Sequence, residues 1–279
     1  MREIVYSDVV DAVARMCMEG NTELPQDVRK ALEQAMADED SPAAKEVLRQ
    51  LLENADLAYE TKLPLCQDCG LAVIFAEVGD DVKVAGGNLK DAINDGVRKG
   101  YADGFLRKSA CDPLTRANTG DNTPAVIHFD MVPGDRIKLT YMAKGGGSEN
   151  MSRVTMLAPA QGWEGIKDFV INRMAEAGPN PCPPTILGIG IGGTFDHAAR
   201  IAKKALMREI GDTHPDPKIA AMEKELRDEI NKLGIGPMGL GGKTSVLDVK
   251  ITVEPCHLAS LPLAVNVQCH SQRHKEVVL

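Results

Sequence analysis

The sequence predicts an α+β protein with mixed sheets, and two observations carry that prediction. Apolar residues recur at helical spacing through residues 1–62, where Pro25 and Pro42 stand where prolines open helices. From Leu71 onward, short runs rich in Val, Ile and Leu are bounded by turn residues and interleaved with further amphipathic helices. Helices cluster early and strands late, and no repeat or low-complexity segment interrupts them.

Taken in order, Ser7 can cap a first helix whose apolar face holds Val9, Val10, Val13 and Met16. Pro25 suits the first turn of a second helix. Pro42 suits that of a third, which carries Val47, Leu48, Leu51 and Leu52. Leu71 to Val78 reads as a strand and Leu89 to Tyr101 as an amphipathic helix. Ala125 to Val132 and Arg136 to Met142 read as two strands joined by Pro133-Gly-Asp135 as a hairpin turn. A helix is expected from Trp163 to Glu176, a strand from Thr185 to Ile191 and a helix from Asp196 to Arg208. A charged helix over Lys218 to Leu233, a glycine-rich loop over 234–243, and strands Val246 to Val253 and Leu263 to Val267 complete the pattern. The expected organisation is a helical N-terminal region, 1–62, followed by one continuous α/β region, 63–279.

Composition narrows the function. With 4% aromatic residues, the core must rely on Ala, Val, Ile, Leu and twelve Met. No apolar run approaches the roughly 18 to 20 residues that span a bilayer. The first residues, Met1-Arg-Glu-Ile-Val-Tyr-Ser-Asp, lack the apolar stretch of a signal peptide, so a cytoplasmic protein is expected. A net charge of −8 argues against nucleic-acid and membrane-surface roles, and an anionic substrate would need cations gathered locally. The seven cysteines are odd in number and scattered, which suits reduced thiols or metal ligands better than a disulfide framework.

Cys66-Gln-Asp-Cys69 allows three readings: a thiol switch, half a zinc site, or an iron–sulfur ligand loop with a passenger cysteine. Cys66 follows Leu-Pro-Leu, Cys182 lies in Pro179-Asn-Pro-Cys-Pro-Pro184, and Cys269 ends the strand Ala264-Val-Asn-Val-Gln. Each stands where the chain enters or leaves an element. They are 116 and 87 residues apart, so only tertiary folding could bring them together. Spacing alone favours lone cysteines as buried small hydrophobes, a reading that holds for Cys17 and extends to Cys111 and Cys256.

Six motifs in order, Cys66-Gln-Asp-Cys-Gly70, Asn118-Thr-Gly120, Ala143-Lys-Gly-Gly-Gly-Ser148, Pro181-Cys-Pro-Pro184, Gly239-Leu-Gly-Gly-Lys243 and Cys269, resemble the class I fumarate hydratases and L-tartrate dehydratases. The likeness is to their α subunit, or the N-terminal half of the single-chain enzymes, and runs from about residue 5 to the end. It implies a [4Fe–4S] cluster on Cys66, Cys182 and Cys269, leaving one iron without a protein ligand as a Lewis acid for reversible hydration. The family usually carries threonine where Cys69 stands, which makes Cys66 the ligand and Cys69 its neighbour.

The same resemblance implies that Gln67 and Asp68 contact substrate and do the chemistry, and that Arg107 grips a substrate carboxylate. Gly145, Gly146 and Gly147 would let backbone N–H groups approach an anion closely. His257 is a candidate substrate contact, and Lys243 a weaker one. The expected reaction is hydration of fumarate to L-malate, with Ser148-Glu-Asn150 leaning to the fumarase branch and L-tartrate dehydration as the alternative. A separately encoded β subunit should complete the site and supply a base and further cations, in an α2β2 assembly.

Two rivals stand beside this reading. Gly188-Ile-Gly-Ile-Gly-Gly193 matches the dinucleotide fingerprint. However, Glu209, at the distance of the ribose-binding acid, closes a helix rather than a strand, so these glycines suit close helix–sheet packing or a site floor. The other rival is a non-enzymatic metal-binding module, which would use Cys66-x-x-Cys69 as half its site.

Overall fold

In the computed structural model, which describes residues 1–279, the first elements are β1 (Arg2–Val5), α1 (Tyr6–Thr22), α2 (Gln26–Asp38), α3 (Pro42–Thr61), β2 (Leu71–Gly79) and β3 (Val82–Ala85). There follow α4 (Leu89–Asp103), β4 (Val126–Val132), β5 (Ile137–Lys144), α5 (Gly146–Met151), β6 (Arg153–Leu157), α6 (Gly162–Ala177) and β7 (Thr185–Gly193). The last are α7 (Phe195–Ala205), α8 (Pro217–Asn231), β8 (Val246–Cys256), β9 (Leu261–Gln268) and β10 (His274–Val278). The α+β expectation holds. Two compact units form, each discontinuous in sequence: 1–25, 54–146 and 272–279 in the first, 26–53 and 147–271 in the second.

The first unit is built on a sheet of order β10-β5-β2-β4. Residues Ala72, Ile74 and Ala76 of β2 and Leu139, Tyr141 and Ala143 of β5 share a face, as the two-residue period requires, and α1 and α4 pack on it through Val13, Cys17, Ile93 and Val97. Cys17 is fully buried there, as expected of a small hydrophobe. The strand β1 was not apparent in the sequence; it pairs in parallel with β3. Helix α1 begins behind Val5 with no side-chain cap, and Ser7 lies inside the helix rather than capping it.

The expected hairpin of β4 and β5 does not form. β2 lies between them, parallel to β4 and antiparallel to β5. The Pro133-Gly-Asp135 turn instead wraps the end of β2: the Asp81 N–H donates to Gly134 O at 2.9 Å and the Gly79 N–H to Arg136 O at 2.8 Å. A strand buried along nearly its whole length gains more by occupying the centre than an edge.

The second unit is a sheet of order β6-β9-β7-β8 between helices. Val265 and Val267 of β9 and Leu187, Ile189 and Ile191 of β7 bury against α6 and α8, while Ala264 meets Ala198 and Ala202 of α7 on the opposite face. The fingerprint glycines lie within β7 itself. A Cβ at Gly188 would sit 2.0 Å from Ala202 O, and one at Gly190 2.2 Å from Ala198 O. They bring α7 onto the sheet, and no strand follows α7 until Val246, so the dinucleotide reading falls. At the β8 edge of this sheet, buried Glu223 accepts from the Ile251 N–H at 2.8 Å and so covers a strand edge that would otherwise be open. No helix is long and apolar enough to cross a membrane.

Candidate active site

The Cys66–Gly70 loop precedes β2 and is held from several sides within the first unit. Cys66 Sγ accepts from the Asp68 N–H at 3.4 Å and donates to Gln67 Oε1 at 3.4 Å. Asp68 Oδ1 accepts from the Gly70 N–H at 2.9 Å and Oδ2 from the Gly146 N–H at 2.7 Å. A Cβ at Gly145 would stand 3.2 Å from the same Oδ2. The anion that the glycine run receives in this structure is therefore Asp68's own carboxylate. Gly147 opens the 147–271 stretch of the second unit, where a Cβ would stand 3.3 Å from Asn180 O.

Beneath this loop runs a buried polar network. Arg273, 1% exposed, donates through Nη1 to Asp68 O at 2.7 Å and to Asn21 Oδ1 at 3.1 Å. Asn21 in turn donates to Tyr141 Oη at 2.9 Å, and Tyr101 donates to Cys69 O at 2.8 Å. Burial pushes both phenol pKa values up, so these hydroxyls stay protonated and serve as donors. Asn122 donates to Gly70 O at 3.2 Å and accepts from the Ser109 and Ala110 N–H groups. That ties the loop to the segment carrying Arg107, whose side chain is exposed.

In the second unit, Cys182 and Cys269 stand at one end of neighbouring antiparallel strands. Ile186 of β7 pairs with Gln268 of β9, so the chain reaches Cys182 just before one strand and Cys269 just after the other. The His270 N–H donates to Cys182 O at 3.4 Å, and its Nδ1 donates to the same oxygen at 2.9 Å. Cys182 adopts a left-handed φ of 55° between prolines. Its loop is backed by the glycine-rich segment: the Met238 N–H donates to Pro183 O at 2.7 Å. A Cβ at Gly239 (φ +78°) would meet Pro179 Cβ at 2.3 Å. Cys269 Sγ lies 3.2 Å from Ser271 Oγ.

None of the seven cysteines is in a disulfide. Cys69 is buried, and burial pushes its thiol pKa up against the opposing hydrogen bond from the Arg107 N–H, so it remains a neutral thiol. Cys66, Cys182 and Cys269 are all part-exposed, as ligands reachable by a metal group should be. Gln268, wholly buried beside Cys269, has no hydrogen-bond partner on either amide atom. Unpaired polar atoms at such a position match a site that receives a polar group. Within neither unit do three His, Cys, Asp or Glu side chains gather as a metal site; Cys66 belongs to the first unit, Cys182 and Cys269 to the second.

His257 is exposed in the turn between β8 and β9, where its Nδ1 accepts from the Ala259 N–H at 3.1 Å. The length of β9, roughly 24 Å at about 3.4 Å per residue, separates it from Cys269. Lys243 is engaged elsewhere, donating to Asp38 O at 3.0 Å and pairing with Asp40 at 2.5 Å. Asn118 closes an Asx turn onto the Gly120 N–H at 2.7 Å and donates to Lys108 O at 2.9 Å. Cys111 is part-buried, bridging to Asn118, and Cys256 is exposed, so neither fills the core. Sequence reasoning missed Arg273, Asn21, Tyr101 and His270; only Arg273 and His270 carried a signal, their nearness to Cys269.

A family profile described as fumarate hydratase (Fumerase) matches residues 10–278. A protein of Methanocaldococcus jannaschii with the provisional name L(+)-tartrate dehydratase subunit alpha is 44% identical over 271 residues, covering 95% of each chain. The L(+)-tartrate dehydratase subunit alpha of Escherichia coli K12 is 32% identical over 276 residues, covering 98% of this chain and 91% of that one. The protein of the same name from Shigella boydii shows the same identity and coverage.

Proposed function

This chain belongs to the fumarate hydratase (Fumerase) family, and from that premise we propose that it is the α subunit of a hydro-lyase acting on a small dicarboxylic acid. Cys66, Cys182 and Cys269 are the proposed ligands of a [4Fe–4S] cluster. The observation that carries this assignment is the part-exposed pair Cys182 and Cys269 at one end of β7 and β9, their loops bonded through His270. Their chemistry fits, since part-exposed cysteines outside disulfides on stiff loops are ready iron ligands. When bound, a cluster with three protein thiolates supplies a Lewis-acidic iron.

The chain's own residues then bind and orient. Arg107, with an exposed guanidinium, suits a bidentate grip on a carboxylate. The Asp68 carboxylate uses one lone pair on each oxygen for Gly70 and Gly146, leaving others to accept a proton from a substrate hydroxyl. Gln67, exposed beside it, offers an amide donor and acceptor. Gly145, Gly146 and Gly147 bring backbone close to the bound anion, and Arg273 holds the Asp68 carbonyl so that the carboxylate keeps its aim. His257, at the far end of β9, stands as a substrate contact only if the partner subunit extends the site to it.

The names of the relatives favour L(+)-tartrate as substrate. Fumarate is the second reading, favoured by the description of the matching family and by Ser148-Glu-Asn150. The name "subunit alpha" on the relatives supports a β partner, and we place the pair in an α2β2 assembly in the cytoplasm. A β partner would supply the base and the cations that an acidic chain of net charge −8 lacks near a dianion.

The test is an anaerobic assay of the cluster-loaded chain, with and without the partner, on L(+)-tartrate, fumarate and L-malate. Turnover of L(+)-tartrate only with the partner present is expected. Equal turnover by the chain alone would refute the two-subunit reading, and preference for fumarate would install the second one.

A further inference from the structure

Cys69 stands where the resembling family carries threonine, and its contacts give it a task. Its Sγ accepts from the Arg107 N–H at 3.2 Å, and its thiol donates to Cys66 O at 3.8 Å. One buried sulfur thus spans two segments 38 residues apart: the loop bearing Cys66, Gln67 and Asp68, and the segment bearing Arg107. The Arg107 N–H gives its hydrogen bond to this sulfur. Before it, Phe105 takes a left-handed φ of 52° and Leu106, 1% exposed, anchors in the core. After it the chain runs to Ser109, whose N–H is held by Asn122.

We infer that Cys69 is a positioning residue, a hydrogen-bonded strut that sets the Arg107 backbone at a fixed place against the Cys66–Asp68 loop. The geometry explains why a residue with a short side chain ending in a polarisable or hydroxyl acceptor belongs here. Threonine can accept the same N–H through Oγ1; alanine cannot. A guanidinium on a long side chain reaches a carboxylate bidentately only when its backbone origin is fixed, because a shift of about 1 Å there spoils the two-point grip. The role of Arg107 in this inference rests on the function proposed above, but the hydrogen bond does not.

Two measurements separate them. In the cluster-loaded α–β complex, Cys69→Ala should raise KM roughly five- to tenfold with kcat less affected, the cost of losing about one hydrogen bond's worth of positioning. Cys69→Thr and Cys69→Ser should restore KM, and the visible absorption of the cluster should be unchanged in all three. Hydrogen exchange at the Arg107 amide should be five- to tenfold faster in Cys69→Ala and near wild type in Cys69→Thr. Unchanged Arg107 exchange in Cys69→Ala would overturn the strut, as would loss of the cluster chromophore in that variant. Faster exchange with KM unmoved would uphold the strut and refute Arg107 as the substrate's grip.

Discussion

Replacing Asp68 tests whether its carboxylate shapes the loop as well as serving substrate. Its two oxygens accept from the Gly70 and Gly146 N–H groups at 2.9 and 2.7 Å, across 78 residues of sequence in the second case. Hydrogen bonds to a charged acceptor are worth about 1.5–3 kcal/mol each, and the half-buried position argues for the lower end. Asp68→Ala should therefore destabilise the apo chain by about 3 kcal/mol. For a chain of this size, that lowers the midpoint of thermal unfolding by roughly 5–6 °C. Asp68→Asn keeps one acceptor oxygen and turns an NH2 toward the other donor, so a drop of about half to two-thirds is expected. Circular dichroism of the metal-free protein reads both, without reference to activity. A melting midpoint within about 1 °C of wild type for Asp68→Ala would show that the two bonds contribute nothing, and the account of the glycine run as Asp68's seat would fail.

Further consequences can be checked in parallel. Glu39 is buried and accepts from the N–H groups of Lys243, Asp40 and Ser41 at 2.6, 2.9 and 3.0 Å, and despite its burial these bonds hold its pKa below the usual carboxylate range. Its stabilisation is complete above pH of about 4.3 and is lost as pH falls through the depressed value. Urea titrations should therefore show Glu39→Gln about 1–3 kcal/mol less stable at pH 7 and converging on wild type in acid; a pH-independent difference would refute the charge. Gly239→Ala combines a left-handed φ of +78° with a 2.3 Å clash on Pro179, whereas Gly234 at φ +65° faces open space. Gly239→Ala should cost about 2–4 kcal/mol and Gly234→Ala about 1, read by urea unfolding, and equal losses would show that Gly239 does not back the Cys182 loop. The loaded enzyme should lose activity in air and regain it with iron and reductant under anaerobic conditions; full activity after long aeration would argue against an iron free of protein thiolates.

Local patterns were legible in the sequence and long-range partners were not. α4, α6, α8, β2 and β7 declared themselves through periodicity and proline or glycine punctuation, because those signals depend on neighbouring residues. β1, β3, β6 and β10 are short and draw their identity from partners far along the chain, as β10 does from β5. The false hairpin had the same origin: a good turn at Pro133-Gly-Asp135 says nothing about a third strand inserting between its arms. The motif residues around Cys66, Cys182 and Cys269 were visible as types, but the buried supports were not. Arg273 looks like a surface arginine until folding places it under the Asp68 carbonyl. Asn21 and Tyr101 look like ordinary helix residues until the chain comes together around them.

The most direct test of the central claim is the cluster content of cysteine variants. Each chain would be reconstituted anaerobically with iron and sulfide, then read by visible absorption together with iron and sulfide analysis. Cys66→Ser, Cys182→Ser and Cys269→Ser should each abolish the chromophore, while Cys69→Ser and Cys17→Ser should bind the full complement. A coloured, four-iron Cys66→Ser protein alongside a colourless Cys69→Ser protein would contradict the ligand assignment and the account built on it.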